Sequence, residues 1–194
     1  MRLIVGLGNY DKQYVDTRHN AGFIVIDYLC NSLGFSWGLE KKMRANMAYG
    51  LLDNSKLIFC KPNTYMNCSG VAMQAICSYY KIHPENILVI HDDIDLELGR
   101  IKIKFAGSDG GHNGLRSIDS LLGKNYYRLR IGIGRADNKE LSVADYVLSR
   151  FTQSEYKCIV ASAKIVDANF SLLLHKQIED FKRKINLESS SCPE

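Results

Sequence analysis

The chain has 194 residues, and its 46% hydrophobic and 24% charged residues are typical of a folded globular protein. This length predicts one compact domain and leaves little room for a second. The net charge of +4 permits a polyanionic partner without requiring one. No apolar run reaches the ~18 residues of a membrane helix. We therefore expect a soluble, cytoplasmic protein whose six scattered cysteines stay reduced.

Short β-rich runs alternate along the chain with runs that have apolar residues at helical spacing. The predicted strands lie at residues 3–7, 47–52, 57–60, 87–90, 101–105 and 127–134. The predicted helices lie at residues 23–29, 70–80, 115–122, 143–151 and 154–184. Asn20 stands where the N-cap of the first helix would be, which places His19 at the mouth of that helix.

The wholly apolar strands at 3–7 and 87–90 are typical of strands buried on both faces. The predicted fold class is therefore α/β, with a single domain built on a mixed, largely parallel twisted sheet. Helices flank both faces of this sheet, and a long C-terminal helix follows it. Residues 1–185 form the predicted domain, and residues 186–194 form a flexible tail.

Polar side chains collect where the predicted strands end and the next helices begin. They come from a loop after the first strand, a loop before the second helix, the end of the strand at 87–90, and a Gly-rich stretch at 107–114. Ligand sites of open α/β sheets lie beyond the carboxyl ends of the strands, so one polar cleft is expected. The residues in question are Asn9, His19, Asn67, Asp92, His112 and Asn113.

This set is suited to general-base chemistry. A neutral His is the usual base near pH 7, and a carboxylate fixes its tautomer and stabilises the imidazolium. A helix N-terminus beside His19 would oppose its protonation. Asn amides grip a peptide or polarise a carbonyl. A single surface His is more often without function, but the whole set favours attack of water on an ester.

Other patterns fit known motifs less well. The acids at residues 91–95 offer ligands for a divalent metal, but they lack the spacing of an EF-hand. Residues 6–8 lack the third Gly of a dinucleotide fingerprint, and residues 107–114 lack the ending of a P-loop. Cys68 is more simply explained as a small buried thiol than as a nucleophile. We expect neither a metal nor another cofactor.

Basic residues alternate on two neighbouring predicted strands. Lys102 and Lys104 share one face of the first strand, and Arg128 and Arg130 share one face of the second. A solvated charged face is the simpler interpretation. Together with nearby aromatic rings, the pattern also fits a surface that binds a nucleic-acid backbone and stacks its bases. The rings belong to Tyr14, Tyr65, Tyr126 and Tyr127.

Six blocks of sequence together resemble bacterial-type peptidyl-tRNA hydrolase. They are Gly6-Leu-Gly-Asn9, Thr17-Arg-His-Asn-Ala-Gly22, Lys61-Pro-Asn-Thr-Tyr-Met-Asn67 with Ser69-Gly70, His91-Asp92-Asp93, Gly110-Gly-His-Asn-Gly-Leu115 and Arg128-Leu-Arg-Ile-Gly-Ile-Gly134. The blocks appear in the family's order over roughly residues 1–150. The resemblance implies a monomeric α/β hydrolase that needs no metal. Such an enzyme cleaves the ester between a peptide and the terminal ribose of tRNA.

The resemblance also implies roles for individual residues. His19 would activate water, Asp92 would hold the basic form of His19, and Asn9 would contact the peptide backbone. Lys104 and Arg130 would clamp the tRNA 5′-phosphate. Further contacts around the ester would come from Tyr14, Tyr65, Met66, Asn67, His112 and Asn113.

Two loops depart from the family pattern. Tyr10-Asp11 replaces the usual Pro-Gly, and Ala106 and Ser108-Asp109 stand where more glycine is common. Both departures concern access of the substrate to the cleft. Two alternatives stay open at this point. One is a non-catalytic RNA-binding relative of the same fold, which the presence of His19 and Asp92 disfavours. The other is a metal-dependent or nucleotide-binding hydrolase.

Overall fold

The computed structural model describes residues 1–136 and 140–188. The strands in these residues are β1 Arg2–Gly6, β2 Gly38–Glu40, β3 Ala45–Leu52, β4 Ser55–Pro62, β5 Ile87–Asp93, β6 Ile101–Phe105 and β7 Tyr127–Gly132. The helices are α1 Ala21–Ser32, α2 Ser69–Tyr80, α3 Asn113–Leu122, α4 Val143–Leu148, α5 Gln153–Ala168, α6 Phe170–Leu174 and α7 Ile178–Glu188.

The strands of the described residues form one mixed sheet in the order β2-β3-β4-β1-β5-β7-β6. β4, β1, β5 and β7 run parallel to one another, whereas β2, β3 and β6 pair antiparallel with their neighbours. The carboxyl ends of four adjacent strands therefore lie at one edge of the sheet. This edge is where an α/β fold places its ligands.

Apolar residues cover both faces of the sheet, which confirms the predicted α/β class. Successive side chains of a strand point to opposite faces, so β1 contributes to two cores. Ile4 packs on the face covered by α1 and α5, while Leu3 and Val5 pack on the face covered by α2 and α3. All three side chains are buried.

β3 and β4 contain the strands predicted at 47–52 and 57–60, and they form a hairpin paired antiparallel from Ala45↔Pro62 to Leu52↔Ser55. Its two-residue turn, Asp53-Asn54, has φ values of 48° and 60°. Positive φ at both turn positions matches the right-handed twist of the strands, and Asp and Asn tolerate it. β2 was not predicted, because its three exposed residues carry no apolar alternation.

The single long C-terminal helix predicted at 154–184 is wrong, because this region is divided into α5, α6 and α7. Thr152 and Glu155 form a capping box that starts α5. At the first break, the Asn169 side chain donates to the Ile165 carbonyl, and its own φ of −115° leaves the helical range. At the second break, Lys176 adopts a φ of +55°. Of the predicted tail, residues 189–194 lie outside the described residues.

The expectation of reduced cysteines holds only in part. Cys30, Cys60 and Cys77 are buried free thiols, and Cys68 is an exposed free thiol, so its expected burial is wrong. Cys158 is disulfide-bonded, and the expectation of a reduced thiol is wrong there. Among the described residues, none of the helices has both the length and the apolar character that a membrane span requires.

Candidate active site

The candidate site lies at the carboxyl ends of β1 and β5. Three segments meet there, namely a 3₁₀ turn at Arg18–Asn20, the last residues of β5, and the N-terminus of α3. Gly22 allows the first of these segments to lie directly on the strand tips. A Cβ there would stand 2.3 Å from the Ile90 carbonyl oxygen and 2.6 Å from the Leu7 amide nitrogen. The absence of a side chain at Gly22 therefore positions His19 at the edge of the sheet.

His19, Asp92 and His112 form one buried cluster. His19 Nδ1 lies 3.0 Å from each carboxylate oxygen of Asp92, and His112 Nε2 lies 3.0 Å from Oδ1 of the same carboxylate. The two imidazole rings are 4.7 Å apart at their centroids. These three residues were predicted to share one cleft, and the structure brings them into contact.

Hydrogen bonds determine which histidine nitrogens carry protons. His112 is the N-cap of α3, and its Nδ1 accepts from the amides of Gly114 and Leu115 at 3.1 and 3.3 Å. That nitrogen is therefore unprotonated, and Nε2 carries the proton that it donates to Asp92. His19 donates its Nδ1 proton to the same carboxylate. Its Nε2 keeps a lone pair and bonds to none of the described residues.

The charges within the cluster shift the pKa values of its members. Burial by itself raises the pKa of Asp92, but the charges of His19 and His112 and their hydrogen bonds hold it well below its usual range. Burial by itself lowers the pKa of His19, yet the charge of Asp92 and the hydrogen bond to it raise that pKa above its ordinary value. The net shift is opposite to the effect expected from the helix N-terminus, and Asp92 bonds the imidazole directly.

His91 packs against the cluster, and it was not among the predicted site residues. Its Nδ1 donates to the main-chain carbonyl of Asp92 at 2.7 Å, and its ring packs edge-on against His112 at 5.1 Å. Burial, and then the nearby charge of His112, lower the pKa of His91 to about 3. His91 therefore stays neutral, and its ring packs against the cluster. Its Nε2 is buried with no hydrogen-bond partner among the described residues.

Asn9 links the loop after β1 to the segment that precedes α2. Its side-chain oxygen accepts from the Met66 amide at 2.9 Å, which holds Met66 beside the site. The Asn20 side chain accepts from the Asn9 amide at 2.7 Å and donates to the Asn9 carbonyl at 3.0 Å. Asn20 stands at the N-cap position of α1, but it bonds Asn9 instead of capping the helix. Asn9 and Met66 are both buried.

The unusual pair Tyr10-Asp11 contacts Tyr65. The Tyr65 hydroxyl donates to Asp11 Oδ2 at 2.9 Å, and the rings of Tyr10 and Tyr65 lie 5.3 Å apart. The hydrogen bonds to Asp11 and Tyr10 raise the pKa of Tyr65 to about 12. About half of Tyr65 is exposed, so the two rings form an accessible aromatic surface next to Met66.

The other residues predicted around the ester are exposed or half-buried. Asn67 and Asn113 are exposed, and the Asn113 side chain accepts from Arg116. Tyr14 is half-buried in a 3₁₀ turn, and its carbonyl accepts from Thr17. Neither asparagine nor Tyr14 bonds the His19–Asp92 pair in the described residues. Their predicted contacts with substrate stay predictions.

The basic strands share one face, as predicted, but their side chains differ in environment. The register pairs Lys104 with Arg128 and Lys102 with Arg130 across β6 and β7. Arg130 Nε donates to Asp93 at 2.6 Å and is about a quarter exposed. Burial, and then the charges of Arg130 and Arg128, lower the pKa of Lys104. Lys104 and Arg130 therefore lie on the same face of two neighbouring strands, where Arg130 is paired with Asp93.

Arg128 is fully buried, so the interpretation of a solvated face is wrong at this position. Its guanidinium pairs with Asp119 at 2.8 Å and donates to the Ser108 carbonyl in the Gly-rich loop. Tyr126 donates to the same Asp119 oxygen and lies under the guanidinium at 4.6 Å. The alternation of residue types predicted that Arg128 and Arg130 share one face of β7, but it gave no indication that the Arg128 side chain is buried.

Arg18 anchors the site and was not among the predicted site residues. It directly precedes His19, and its guanidinium donates to the Arg150 carbonyl and to Glu155 at 2.5 and 2.6 Å. The same group lies over the rings of Tyr146 and Phe151. Arg18 therefore connects the His19 segment to α4 and α5. The block Thr17-Arg-His was the available signal for its importance.

Within the described residues, His19, Asp92 and His112 are the three side chains grouped closely enough to share a metal ion, with ligand atoms within 4.8 Å. The acids at 91–95, weighed in the sequence analysis, do not form such a group. A metal at the observed cluster would displace the two imidazole protons that now bond Asp92. The hydrogen bonds among the three residues account for their arrangement without an ion.

A mixed α/β sheet that carries a buried His–Asp pair at its carboxyl edge is typical of a hydrolytic enzyme. The comparisons with known proteins agree. Residues 3–193 match the family described as peptidyl-tRNA hydrolase. The peptidyl-tRNA hydrolase of Rickettsia conorii is 49% identical over 185 residues, which cover 95% of this chain and 100% of the relative. That of Rickettsia typhi is 50% identical with the same coverage.

Solved structures give the same result for the fold. The crystal structure of peptidyl-tRNA hydrolase from Acinetobacter baumannii has a TM-score of 0.90 and 36% sequence identity to this chain. The similarity covers 96% of this chain and 94% of that one. The chain therefore belongs to the peptidyl-tRNA hydrolase family.

Proposed function

We propose that this enzyme hydrolyses the ester between a peptide, or an N-blocked amino acid, and the terminal ribose of tRNA, with His19 as general base. The observation that carries the proposal is the free Nε2 of His19, whose Nδ1 is held by Asp92 at 3.0 Å. The same buried pair stands in a chain that matches peptidyl-tRNA hydrolases over nearly its full length.

The reaction needs one water molecule and two proton transfers. His19 Nε2 takes a proton from water, and the resulting hydroxide attacks the ester carbonyl. Asp92 stabilises the imidazolium that forms. The C–O bond to the ribose then breaks, and the imidazolium returns the proton to the ribose oxygen. The products are a free carboxylic acid and a tRNA with a free terminal hydroxyl.

Substrate binding is divided between the peptide and the tRNA. Asn9 contacts the peptide backbone near the ester, as the resemblance implies. Further contacts around the ester come from Tyr14, Tyr65, Met66, Asn67, His112 and Asn113. Lys104 and Arg130 bind the 5′-phosphate at the acceptor end, which is supported by their position together on β6 and β7. Residues 1–185 carry the activity as a cytoplasmic monomer.

The activity of a His19→Ala variant tests the base. Purified protein is incubated with an N-acetylated aminoacyl-tRNA, and release of the free tRNA is followed. We expect His19→Ala to lose roughly 10²–10⁴-fold in kcat while it still binds substrate, because only proton transfer is removed. His83→Ala, at an exposed histidine outside the cluster, is the matched control and keeps the wild-type rate. A loss of less than tenfold would reject His19 as the base.

The wild-type protein in the same assay separates the enzyme from a non-catalytic RNA-binding relative. An enzyme releases tRNA at a rate that depends on His19. A wild-type protein that binds the aminoacylated tRNA and leaves its ester intact would overturn the proposed function.

A further inference from the structure

Arg18 carries a buried cation directly next to the proposed base. It begins the 3₁₀ turn Arg18–Asn20 that presents His19, and only 8% of its side chain is exposed. A buried guanidinium needs partners, and two of its nitrogens have them in the Arg150 carbonyl and the Glu155 carboxylate. A contact with tRNA phosphates needs an accessible cation, so this arginine is not suited to that role.

The segment that ends at Arg18 pairs with the residues between α4 and α5. The Arg18 amide donates to the Ser149 carbonyl at 3.0 Å, and Thr17 forms an antiparallel bridge with Arg150. The ion pair between the side chains of Arg18 and Glu155 extends this pairing into α5. The main chain that leads into the base is therefore bonded to a distant part of the sequence.

Two aromatic rings contact the Arg18 guanidinium. Its central carbon lies 4.7 Å from the ring centroid of Tyr146 and 5.2 Å from that of Phe151. The Tyr146 hydroxyl donates to the Ile133 carbonyl at 2.8 Å, which fixes this ring to the residue that follows β7. The position of the cation is therefore tied to the central sheet through a cation–π contact and a hydrogen bond.

The same part of the sheet also holds the carboxylate that orients the base. The Ile133 amide donates to the Asp93 carbonyl at 3.0 Å, and Asp93 directly follows Asp92 in β5. His19 and Asp92 are consequently connected twice, once by their own hydrogen bond and once through the contacts of Arg18. A misplacement of ~1 Å in a catalytic group lowers a rate by about 10²-fold, so the second connection bears on catalysis.

Glu155 is suited to hold Arg18 because its carboxylate has a second anchor. Its Oε2 accepts from the Thr152 amide at 2.7 Å in the capping box of α5, and its Oε1 accepts from Arg18 at 2.6 Å. Burial by itself raises the pKa of Glu155, but the hydrogen bonds with Thr152 and the charge of Arg18 lower it. The carboxylate is therefore ionised near neutral pH and bonded at both oxygens.

We propose that the ion pair of Arg18 with Glu155 positions His19 for catalysis. The proposal rests on the proposed function, because it names the residues that place the base of that reaction. Arg18 and Glu155 are positioning residues: they fix the main chain that carries His19, while Asp92 fixes its imidazole. The first turn of α5 thereby influences a reaction at the carboxyl edge of the sheet.

Glu155→Gln tests the ion pair and keeps the capping box. A Gln at this position still accepts from the Thr152 amide, but it offers Arg18 no charge. kcat and KM are measured on an N-acetylated aminoacyl-tRNA, and circular dichroism verifies that each variant is folded at the assay temperature. We expect kcat to fall about tenfold while KM stays within about twofold of wild type, because the groups that bind substrate are untouched.

Arg18→Gln completes a double-mutant cycle with Glu155→Gln. We expect Arg18→Gln to lower kcat at least as much, and the double variant to be no slower than Arg18→Gln, since one interaction is lost only once. Losses that multiply in the double variant would overturn the ion pair as their cause. A raised KM with unchanged kcat in Arg18→Gln would make it a substrate contact instead. A wild-type kcat in Glu155→Gln overturns the proposal even where Arg18→Gln does not fold.

Thr152→Ala is the control for the stability of α5. It removes the hydroxyl that caps the helix, whereas the main-chain amide still bonds the Glu155 carboxylate. We expect a lower midpoint of urea unfolding and a wild-type kcat. An equal loss of kcat in this variant would trace the effect to α5 as a whole and overturn the positioning role. An inactive wild-type protein would instead overturn the proposed function, so the two failures are distinguishable.

Discussion

His19 Nδ1 lies 3.0 Å from both carboxylate oxygens of Asp92, although 73 residues separate them in the chain. The same carboxylate accepts a hydrogen bond from His112, so two imidazoles compete for one anion. Only one of them can act as a base. His112 uses its second nitrogen to cap α3, whereas the second nitrogen of His19 bonds to none of the described residues. The surrounding structure thereby distinguishes two chemically identical side chains.

Replacing Asp92 by Asn changes how the rate depends on pH. Asp92 raises the pKa of His19, and the base is active only when neutral, so kcat/KM rises with pH through that elevated pKa. In Asp92→Asn the charge is gone and burial remains, which lowers the pKa of His19. We expect the acidic limb of the pH profile to move to lower pH. The plateau also falls, by less than in His19→Ala.

The pH profile of Asp95→Asn is the control for this change. Asp95 is exposed, pairs with Arg135 and lies outside the histidine cluster. We expect its profile to match that of wild-type protein. An Asp92→Asn profile that overlays the wild type would contradict the proposed orienting role of Asp92.

Lys104→Ala tests the predicted phosphate site. Loss of one phosphate contact weakens tRNA binding and reduces the slope of log K against log salt by about one. Hydrolysis of a short ester fragment that carries only the terminal adenosine stays unchanged, because the fragment has no 5′-phosphate. Binding is measured by titration at several salt concentrations, with tRNA that carries or lacks the 5′-phosphate. Lys182→Ala, a basic residue on α7, is the control.

If Lys104→Ala lowers the rate of hydrolysis equally on full tRNA and on the short fragment, Lys104 acts in the reaction itself. That result would reject a contact with the phosphate. The phosphate contact is also rejected if Lys104→Ala keeps the wild-type difference in affinity between tRNA with and without the 5′-phosphate. Arg130→Ala is expected to repeat the result, since Arg130 occupies the neighbouring strand.

Arg128→Met is expected to destabilise the fold. The substitution leaves Asp119 buried without its cation and removes the bond to the Ser108 carbonyl. Removing one partner of a buried ion pair lowers the free energy of unfolding by about 3–5 kcal/mol. Urea denaturation measures the change. Lys102→Met, on the same face but exposed, stays within about 0.5 kcal/mol of wild type. Similar values for the two variants would show that Arg128 adds no stability.

Gly22→Ala tests the contact between α1 and the strand tips. The added methyl group meets main-chain atoms of Ile90 and Leu7 at 2.3–2.6 Å, so the backbone must move. We expect a loss of about 1–3 kcal/mol in the free energy of unfolding. A drop in kcat accompanies it, because the His19 segment shifts with α1.

Gly38→Ala is the matched control, since the nearest atom to a Cβ there is the Met47 carbonyl oxygen at 3.9 Å. Denaturant unfolding and the rate on N-acetylated aminoacyl-tRNA are measured for both variants. A Gly22→Ala protein with wild-type stability and rate would show that the close approach is not needed.

Local features of the sequence determined much of the fold. The apolar runs at 3–7 and 87–90 predicted strands, because runs of this length are typical of strands buried on both faces. Asp53-Asn54 lies between the predicted strands at 47–52 and 57–60, and it suits a two-residue turn because few residue pairs tolerate positive φ at both positions. The motif blocks likewise identified His19, Asp92 and His112 as candidates. Each of these inferences depends on neighbours along the chain or on a pattern of residue types.

Tertiary structure alone decided the properties that depend on distant neighbours. Arg128 and Arg130 have the same spacing and type, yet Arg128 is fully buried because α3 supplies Asp119 opposite it. The helical periodicity of residues 154–184 gave no indication of the breaks at Asn169 and Lys176. Only the fold shows that Asp92, at the end of β5, contacts His19 and raises its pKa. Electrostatic effects fall with distance in space, and the sequence records distance only along the chain.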